Sequence, residues 1–464
     1  MNIIIIGCGK VGQELAANLN EEGNNITVID LQASKLNAIS QRYDVKTLCG
    51  NGATHLIQQE ANINSADLLI AVTGSDELNL LCCLIAKKAG NCHTIARVRS
   101  PQYSTEAPYL KDELGLAMVI NPELESAAEI ARVLRFPSAM KIDTFAKNRV
   151  ELLKFRLPEG SPLVGMAVKD ISTKLHADVL ICTIERTVPA PAGSEEPDAE
   201  EAYIANGNFV FAEKDVISII ATPRNANTFF KKINYKINSV KDVMIVGGGE
   251  IAYYLCQILS RSGIAVTLIE KDPKRCEELE SQLSDVRVIC GDAADQDTLL
   301  EERLADMDGF VALTNLDEEN ILLSLFARSA GKAKLVTKIN RIDFTDVIKR
   351  LDLDTIIYPK NVTTETIVRY VRAMKNSIGS NMETLYTVIK GKIEAAEFTI
   401  SANSPIVDIP LAELKFKKDV LIAAILRDRK VIIPRGYDTI QAGDSVVIVT
   451  THLELHDIAD IIKK

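Results

Sequence analysis

The sequence predicts an α/β protein: two Rossmann-like, doubly wound parallel-sheet domains, each followed by a small α+β domain. Three observations carry that prediction. Residues Met1 to Asp30 read as strand, glycine turn, helix, strand, acid; the same order restarts at Val243; and after each copy the pattern changes to short runs at β spacing.

Ile3 to Ile6 are four consecutive β-branched residues, the unbroken apolar run of a parallel strand covered on both faces. Gly7-Cys8-Gly9-Lys10-Val11-Gly12 follows at once, and a glycine at the strand end lets the chain turn sharply into a helix. Gly9 has no Cβ, so the backbone there can approach a pyrophosphate whose charge is stabilised by free N–H groups at the helix N-terminus. Gly12 lets the helix pack closely on the strand. Asp30, eighteen positions after Gly12, falls where a carboxylate accepts hydrogen bonds from an adenosine ribose. The competing reading is a glycine turn in an α/β domain that binds nothing.

The alternation continues. Val45 to Cys49 is a strand ending in Gly50-Asn51-Gly52-Ala53, which adds Asn51 and Ala53 to the candidate site, and Ala66 to Thr73 is the fourth strand. Thr73 and Gly74 end it at the carboxyl edge, where open α/β sheets bind ligands. A helix over Asp76 to Ala89 precedes the strand Thr94 to Val98, whose Arg97 could reach a phosphate as a charge-assisted donor or form a surface salt bridge. Met118 to Asn121, stopped by Pro122, is the sixth strand.

From about Lys141 the runs Leu152 to Leu157, Val179 to Ile184, Asn208 to Phe211 and Val216 to Ala221 have β spacing, with one helix among them. That composition predicts a small α+β domain. Within it, Pro189 to Pro197 and the acids that follow are Pro/Ala/Glu-rich and predict a mobile surface loop.

The chain then starts again. Val243 to Ala252 matches Ile3 to Gly12 at an offset of 240, Val266 to Glu270 matches the strand ending in Asp30, and Cys290 to Ala294 matches Cys49 to Ala53. Ala312-Leu313-Thr314 with Asp317 and Asn320 matches Ala71-Val72-Thr73 with Asp76 and Asn79, Lys338 falls opposite Arg97, and Tyr358-Pro359 answers Asn121-Pro122. The second candidate site is therefore Gly247, Gly248, Gly249, Glu250, Ile251, Glu270, Asp292, Thr314, Asn315 and Lys338. After about Met382 a second β-rich module follows, with strands over Leu421 to Leu426, Val431 to Pro434 and Ser445 to Val449. The expected domains are 1–138, 139–224, 239–376 and 380–464, a tandem duplication. The copies differ: Ala252 stands where the first has Gly12, Glu270 for Asp30, and Lys338 for Arg97. Lysine offers a point charge without the planar fork of arginine.

The whole chain sets limits. At 464 residues it should hold about three or four domains. No apolar run reaches the roughly 18 residues of a membrane span, and the N-terminus enters a strand without a basic leader, which predicts a cytoplasmic protein. A net charge of -10 disfavours nucleic acid and direct lipid insertion. Nine cysteines without CxxC spacing read as buried hydrophobes in a reducing compartment. His452 and His456, placed on a last helix, lack a third metal ligand and read as surface or packing residues.

The order of modules resembles the TrkA family, cytosolic regulatory subunits of bacterial Trk potassium uptake built from RCK/KTN domains. The resemblance covers essentially the full length and rests on Gly7 to Gly12, Asp30, Gly50 to Ala53, Thr73 to Asn79, Ile95 to Arg99 and Asn121-Pro122, with the second copy and the stretch Pro434 to Asp438 leading to Ala442-Gly443-Asp444. It implies NAD(H), or ATP and ADP, in the Rossmann modules and RCK-C-like folds in the small ones. It also implies a homotetrameric ring and gating of an integral-membrane potassium-translocating subunit of the TrkH/TrkG kind, held at the cytoplasmic face of the inner membrane through that partner. The first small module lacks the Pro-Arg-Gly-Tyr-Asp stretch. Two other classes compete: a NAD-dependent oxidoreductase, disfavoured because the small modules hold few histidines and no carbonyl-polarising cluster, and a nucleotide sensor serving another cation transporter.

Overall fold

The computed structural model describes residues 1–135, 141–145, 150–188, 199–235, 240–341, 351, 353–376, 382–389, 392–428, 430–452, 455 and 457–463. The strands of the first copy are β1 (Asn2–Ile6), β2 (Asn25–Asp30), β3 (Lys46–Cys49), β4 (Leu68–Ala71), β5 (His93–Arg97) and β6 (Met118–Ile120). The small module that follows has β7 (Lys141–Phe145), β8 (Val150–Arg156), β9 (Leu180–Val188), β10 (Ala199–Ile204) and β11 (Val216–Ala221). The second copy repeats the series as β12 (Asp242–Val246), β13 (Ala265–Glu270), β14 (Arg287–Cys290), β15 (Gly309–Ala312), β16 (Lys334–Lys338) and β17 (Thr355–Ile357). Last come β18 (Met382–Ile389), β19 (Ile393–Thr399), β20 (Val420–Arg427), β21 (Lys430–Ile432) and β22 (Ser445–Thr450).

Like modules pack with like. Residues 1–135 and 239–368 form one compact unit, and 136–238 with 369–464 form the other. In the first unit the two sheets are parallel, with orders β3-β2-β1-β4-β5-β6 and β14-β13-β12-β15-β16-β17, the doubly wound arrangement whose strand order reverses beside its first strand. Ile3 to Ile6 are all buried, as a strand covered by helices on both faces requires. The two sheets are joined by helices: Ala127, Ile130, Ala131 and Leu134 of the helix Pro122–Arg135 sit in one core with Val243, Ile251, Tyr254 and Leu255. Polar contacts cross the same seam, Asn121 Nδ2 donating to Tyr254 Oη at 3.0 Å, Tyr254 Oη to Arg99 O at 3.1 Å, and Lys360 pairing with Glu14 at 3.2 Å.

The second unit holds two five-stranded sheets, β10-β9-β11-β8-β7 and β18-β19-β22-β20-β21, with antiparallel pairing throughout. Phe145, Leu152, Cys182 and Ile220 of one share a core with Val388, Ala395, Ala424 and Val447 of the other. Each sheet carries the same internal ion pair: Arg186 grips the buried Asp215 at 2.8 and 2.7 Å, and Arg427 grips Asp444 at 2.9 and 2.7 Å. Forked pairs of this kind fix the turn before the last strand, and Asp215 accepts from Ala212 N as Asp444 does from Gln441 N.

Three sequence expectations fail here. Asn208 to Phe211 is not a strand; it makes only an isolated bridge, Val210 to Ala167. Of the acids expected to continue the loop, Glu200 and Glu201 lie instead in β10, which pairs along its length with β9; an edge strand tolerates charged side chains such as the exposed Glu201. Residues 189–198 of that loop lie outside the described residues. His452 is not helical; its Nε2 is 2.9 Å from Lys418 O, and His456 lies outside the described residues.

Candidate functional site

Each site is built at the carboxyl ends of its first, second and fourth strands. Gly7 and Gly247 have φ of +106° and +96°, the left-handed region that glycine adopts without strain, and a Cβ on either would stand about 3 Å from the backbone after the fourth strand. Gly9 and Gly249 face open space, the feature a close-approaching anion needs. Gly12 is packed: a Cβ there would lie 1.8 Å from Gly7 O. The side chains of Cys8 and Ile251 are buried. Val11 and the exposed Lys10 follow on the helix Lys10–Glu21.

The acids end their strands as anticipated. Asp30 Oδ2 accepts from Cys8 N at 2.6 Å and Glu270 Oε2 from Gly248 N at 2.6 Å, while the other oxygen of each carboxylate accepts from the following backbone. The carboxylates are thereby fixed beside the glycine turn. In the second module Gly247, Gly248, Gly249, Glu270, Asp292, Thr314 and Asn315 line one cavity of about 290 Å³. Asn51 and Asp292 fold back on the turns they start, accepting from Ala53 N and Ala294 N at 3.0 and 2.9 Å. Thr73, with the exposed Gly74 beside it, and Thr314 each lie two residues beyond the end of the fourth strand, which stops at Ala71 and Ala312.

Residues that carried only the repeat turn out to shape the sites. The fully buried Asn79 accepts from both Thr73 N and Thr73 Oγ1, at 2.8 and 2.7 Å, and donates to Arg97 O; Asn320 does the same for Thr314 and Lys338. Asp76 accepts from Arg99 N and Ser100 N, as Asp317 does from Asn340 N and Arg341 N. Their signal in the sequence was an Asp and an Asn three apart in the first turn of an apolar helix, where buried polar groups must have fixed partners.

Arg97 and Lys338 open on a second cavity of about 600 Å³ between the two modules of this unit. Lys10, Arg275 and Lys360 bring further positive charge to it, and Glu123 and Glu250 oppose them. Arg97 pairs loosely with Glu123 at 3.5 Å, and burial pushes its guanidinium pKa down. Lys338 is 7% exposed; its Nζ donates to Leu313 O at 3.0 Å and approaches Asn315 Oδ1 at 3.4 Å, and burial pushes it below lysine's usual value. Among the described residues Arg97 Nε, Glu123 Oε2 and Glu250 Oε2 have no hydrogen-bond partner. A half-buried guanidinium with an unpartnered N–H, as Arg97 has, suits a phosphate, which supplies several acceptors at once.

A pair of glycine-turn sites on doubly wound sheets defines a tandem Rossmann protein of the nucleotide-binding class. The chain matches the TrkA-N domain over residues 3–122 and 243–359 and the TrkA-C domain over 152–234 and 395–463. It is 32% identical to the Trk system potassium uptake protein TrkA homolog of Archaeoglobus fulgidus, over the whole of both chains, and 31% identical to TrkA of Haemophilus influenzae, over 97% of this chain and 95% of that one. The chain therefore belongs to the TrkA family. Its fold is shared with a solved structure titled GsuK channel bound to NAD, at a TM-score of 0.63 and 16% identity, covering 98% of this chain and 77% of that one.

Proposed function

We propose that this protein is a cytosolic regulatory subunit that binds NAD(H), with ATP or ADP as alternative ligands, in its two Rossmann modules. Through that binding it gates an integral-membrane potassium-translocating partner. The observation that carries the reading is the duplicated site: glycine turn, fixed carboxylate and a cation after the fifth strand's core recur at matching positions on two sheets packed as one unit. Membership of the TrkA family and the potassium-uptake names of its relatives support the partner. No helix among the described residues is long and apolar enough to cross a membrane, so contact with the partner falls to protein surfaces. The exposed Leu81 and Leu84 on the helix Asp76–Ala89 and Leu322 on Asp317–Ala330 are matching apolar faces through which copies would assemble into a tetrameric ring.

Asp30 and Glu270 accept from a ribose 2′-OH and repel a 2′-phosphate, so NADH should bind more tightly than NADPH at both sites. Each lost charge-assisted hydrogen bond is worth roughly 1.5–3 kcal/mol, about ten- to a hundredfold in affinity. Titration calorimetry should show a tighter and a weaker NADH phase, with Asp30→Ala removing the first and Glu270→Ala the second. The protein should co-sediment with proteoliposomes carrying the translocating subunit and not with protein-free anionic liposomes. Equal affinity for NADPH, or binding to bare lipid, would break the assignment.

A further inference from the structure

Cys276 and Cys290 stand together beneath the acid of the second nucleotide site. Cys290 ends β14 in register with Glu270 of β13, and its thiol is exposed. Cys276 is buried on the helix Pro273–Gln282 and its Sγ donates to Glu270 O at 3.2 Å. Gly291 N, one bond beyond Cys290, donates to that same carbonyl at 2.9 Å. Cys276, through its thiol, and Cys290, through the peptide that follows it, thus converge on the one carbonyl of Glu270. Glu270 links this cluster to the ligand side, because its carboxylate receives Gly248 N and lines the 290 Å³ cavity together with Gly291.

The first module has no such pair. Leu36, buried on the helix Ala33–Ser40, occupies the position of Cys276. Cys49 therefore stands alone at the end of β3, with its Sγ 3.5 Å from Leu31 O.

We infer that Cys276 and Cys290 are a redox-active pair whose closure to a disulfide weakens nucleotide binding at the second site alone; the affinity part rests on the function proposed above. The oxidant class is a peroxide. The Cys290 thiolate attacks one peroxide oxygen, giving a sulfenic acid and hydroxide, and two electrons pass from sulfur to oxygen. Cys276 sulfur then attacks Cys290 sulfur and expels the hydroxyl, which leaves as water with the proton of Cys276. Two thiols and one hydrogen peroxide become one disulfide and two waters. The exposed thiol reacts first; the buried one, pushed up to about 12 chiefly by burial, resolves. Closure removes the S–H donor from Glu270 O and staples helix Pro273–Gln282 to β14, shifting the residue whose carboxylate faces the ribose.

The test uses the full chain, treated with hydrogen peroxide, quenched with catalase and split between non-reducing peptide mapping and NADH titration. The expected result is a 276–290 cross-linked peptide, with Cys49 oxidised but not cross-linked. The Glu270-dependent NADH phase should weaken roughly tenfold, recover with dithiothreitol, and not respond in Cys276→Leu, which installs the first module's residue, or in Cys290→Ser. Oxidation of Cys49 without a 276–290 cross-link overturns the pairing. A cross-link that leaves the NADH phase unchanged overturns the coupling. Failure of the reduced protein to bind NADH breaks the nucleotide reading, and the peptide map then decides the thiol pair by itself.

Discussion

The two nucleotide modules share one topology and one set of backbone hydrogen bonds, yet they differ in the side chains around the glycine turn and the inter-module cavity and in those that seal the seam between them. In the first, Gly12 leaves no room for a Cβ, Asp30 is the acid, and a forked Arg97 is partly neutralised by Glu123. In the second, Ala252 occupies the helix position, Glu270 is the acid, and Lys338 is held by a backbone carbonyl and an amide. A ligand shifts an equilibrium only by its difference in affinity between states, so divergence between the copies is the means by which one chain could respond to more than one nucleotide level. We expect the first site to hold the dinucleotide more tightly and the second to bind it weakly or to accept ADP or ATP.

The largest break in this comparison should come from exchanging its smallest residues. A Cβ at Gly12 would meet Gly7 O at 1.8 Å, a backbone atom with nowhere to go, whereas the second module already carries Ala252 fully buried at the same place. Gly12→Ala should cost about 1–3 kcal/mol or more, the range of overpacked cores, and abolish the tighter NADH phase. Ala252→Gly should cost about 1 kcal/mol from helix propensity and leave both phases in place. Thermal unfolding with calorimetry on both variants checks this; equal losses would mean that the two turns have the same geometry.

Lys338 sharpens the contrast through pH. Burial is the main cause of its lowered pKa, ahead of the opposing pull of Asp317. A lysine whose folded value lies below its unfolded one binds fewer protons when folded, so its cost is fully present below the folded value and fades as pH rises towards the ordinary 10.5. Lys338→Met should therefore raise the apo-protein Tm at pH 7 by a few degrees, at roughly 2–4 °C per kcal/mol. The gain over wild type should shrink as pH approaches lysine's usual range. The same substitution should weaken the second NADH phase about tenfold. A lower Tm at pH 7, unchanged at higher pH, would show that Lys338 is held by favourable contacts that outweigh its desolvation.

Much of this was legible because it is local. A strand, a positive-φ glycine and a helix N-terminus occupy ten consecutive residues, so Gly7 to Gly12 and Gly247 to Ala252 announce the sites, and a carboxylate at the end of the next strand follows from the length of one helical turnback. What the sequence hid is set by distant partners. Asn79 and Asn320 sort into the sites only when the fifth strand brings Arg97 O and Lys338 O to them. Glu200 and Glu201 read as the end of an acidic loop until β9 pairs with them. The grouping of like modules into two units, and with it the cavity shared by Arg97 and Lys338, depends on apolar helix faces such as Ala127, Ile130 and Leu134 that any core would accept.

The seam between the modules supplies the smallest effect and the finest test. Tyr254 and Glu14 hold equivalent positions on their helices, but each half of the seam is closed differently. On one side the buried Tyr254 hydroxyl accepts from Asn121 Nδ2 and donates to Arg99 O; on the other, Glu14 meets Lys360 across 3.2 Å with side chains 32% and 20% exposed. A buried hydroxyl with two partners contributes about 1 kcal/mol, and after its loss Arg99 O keeps only the Asn121 Nδ2 donor at 3.2 Å. A partly exposed ion pair contributes roughly 0.2–1 kcal/mol and is screened by salt. Tyr254→Phe should therefore lower Tm by a few degrees at any ionic strength, while Lys360→Met should lower it by about 1–2 °C in dilute buffer and by nothing measurable in molar salt. Equal and equally salt-sensitive losses would show that the two halves of the seam are energetically alike, and that the asymmetry between the copies is confined to the nucleotide sites.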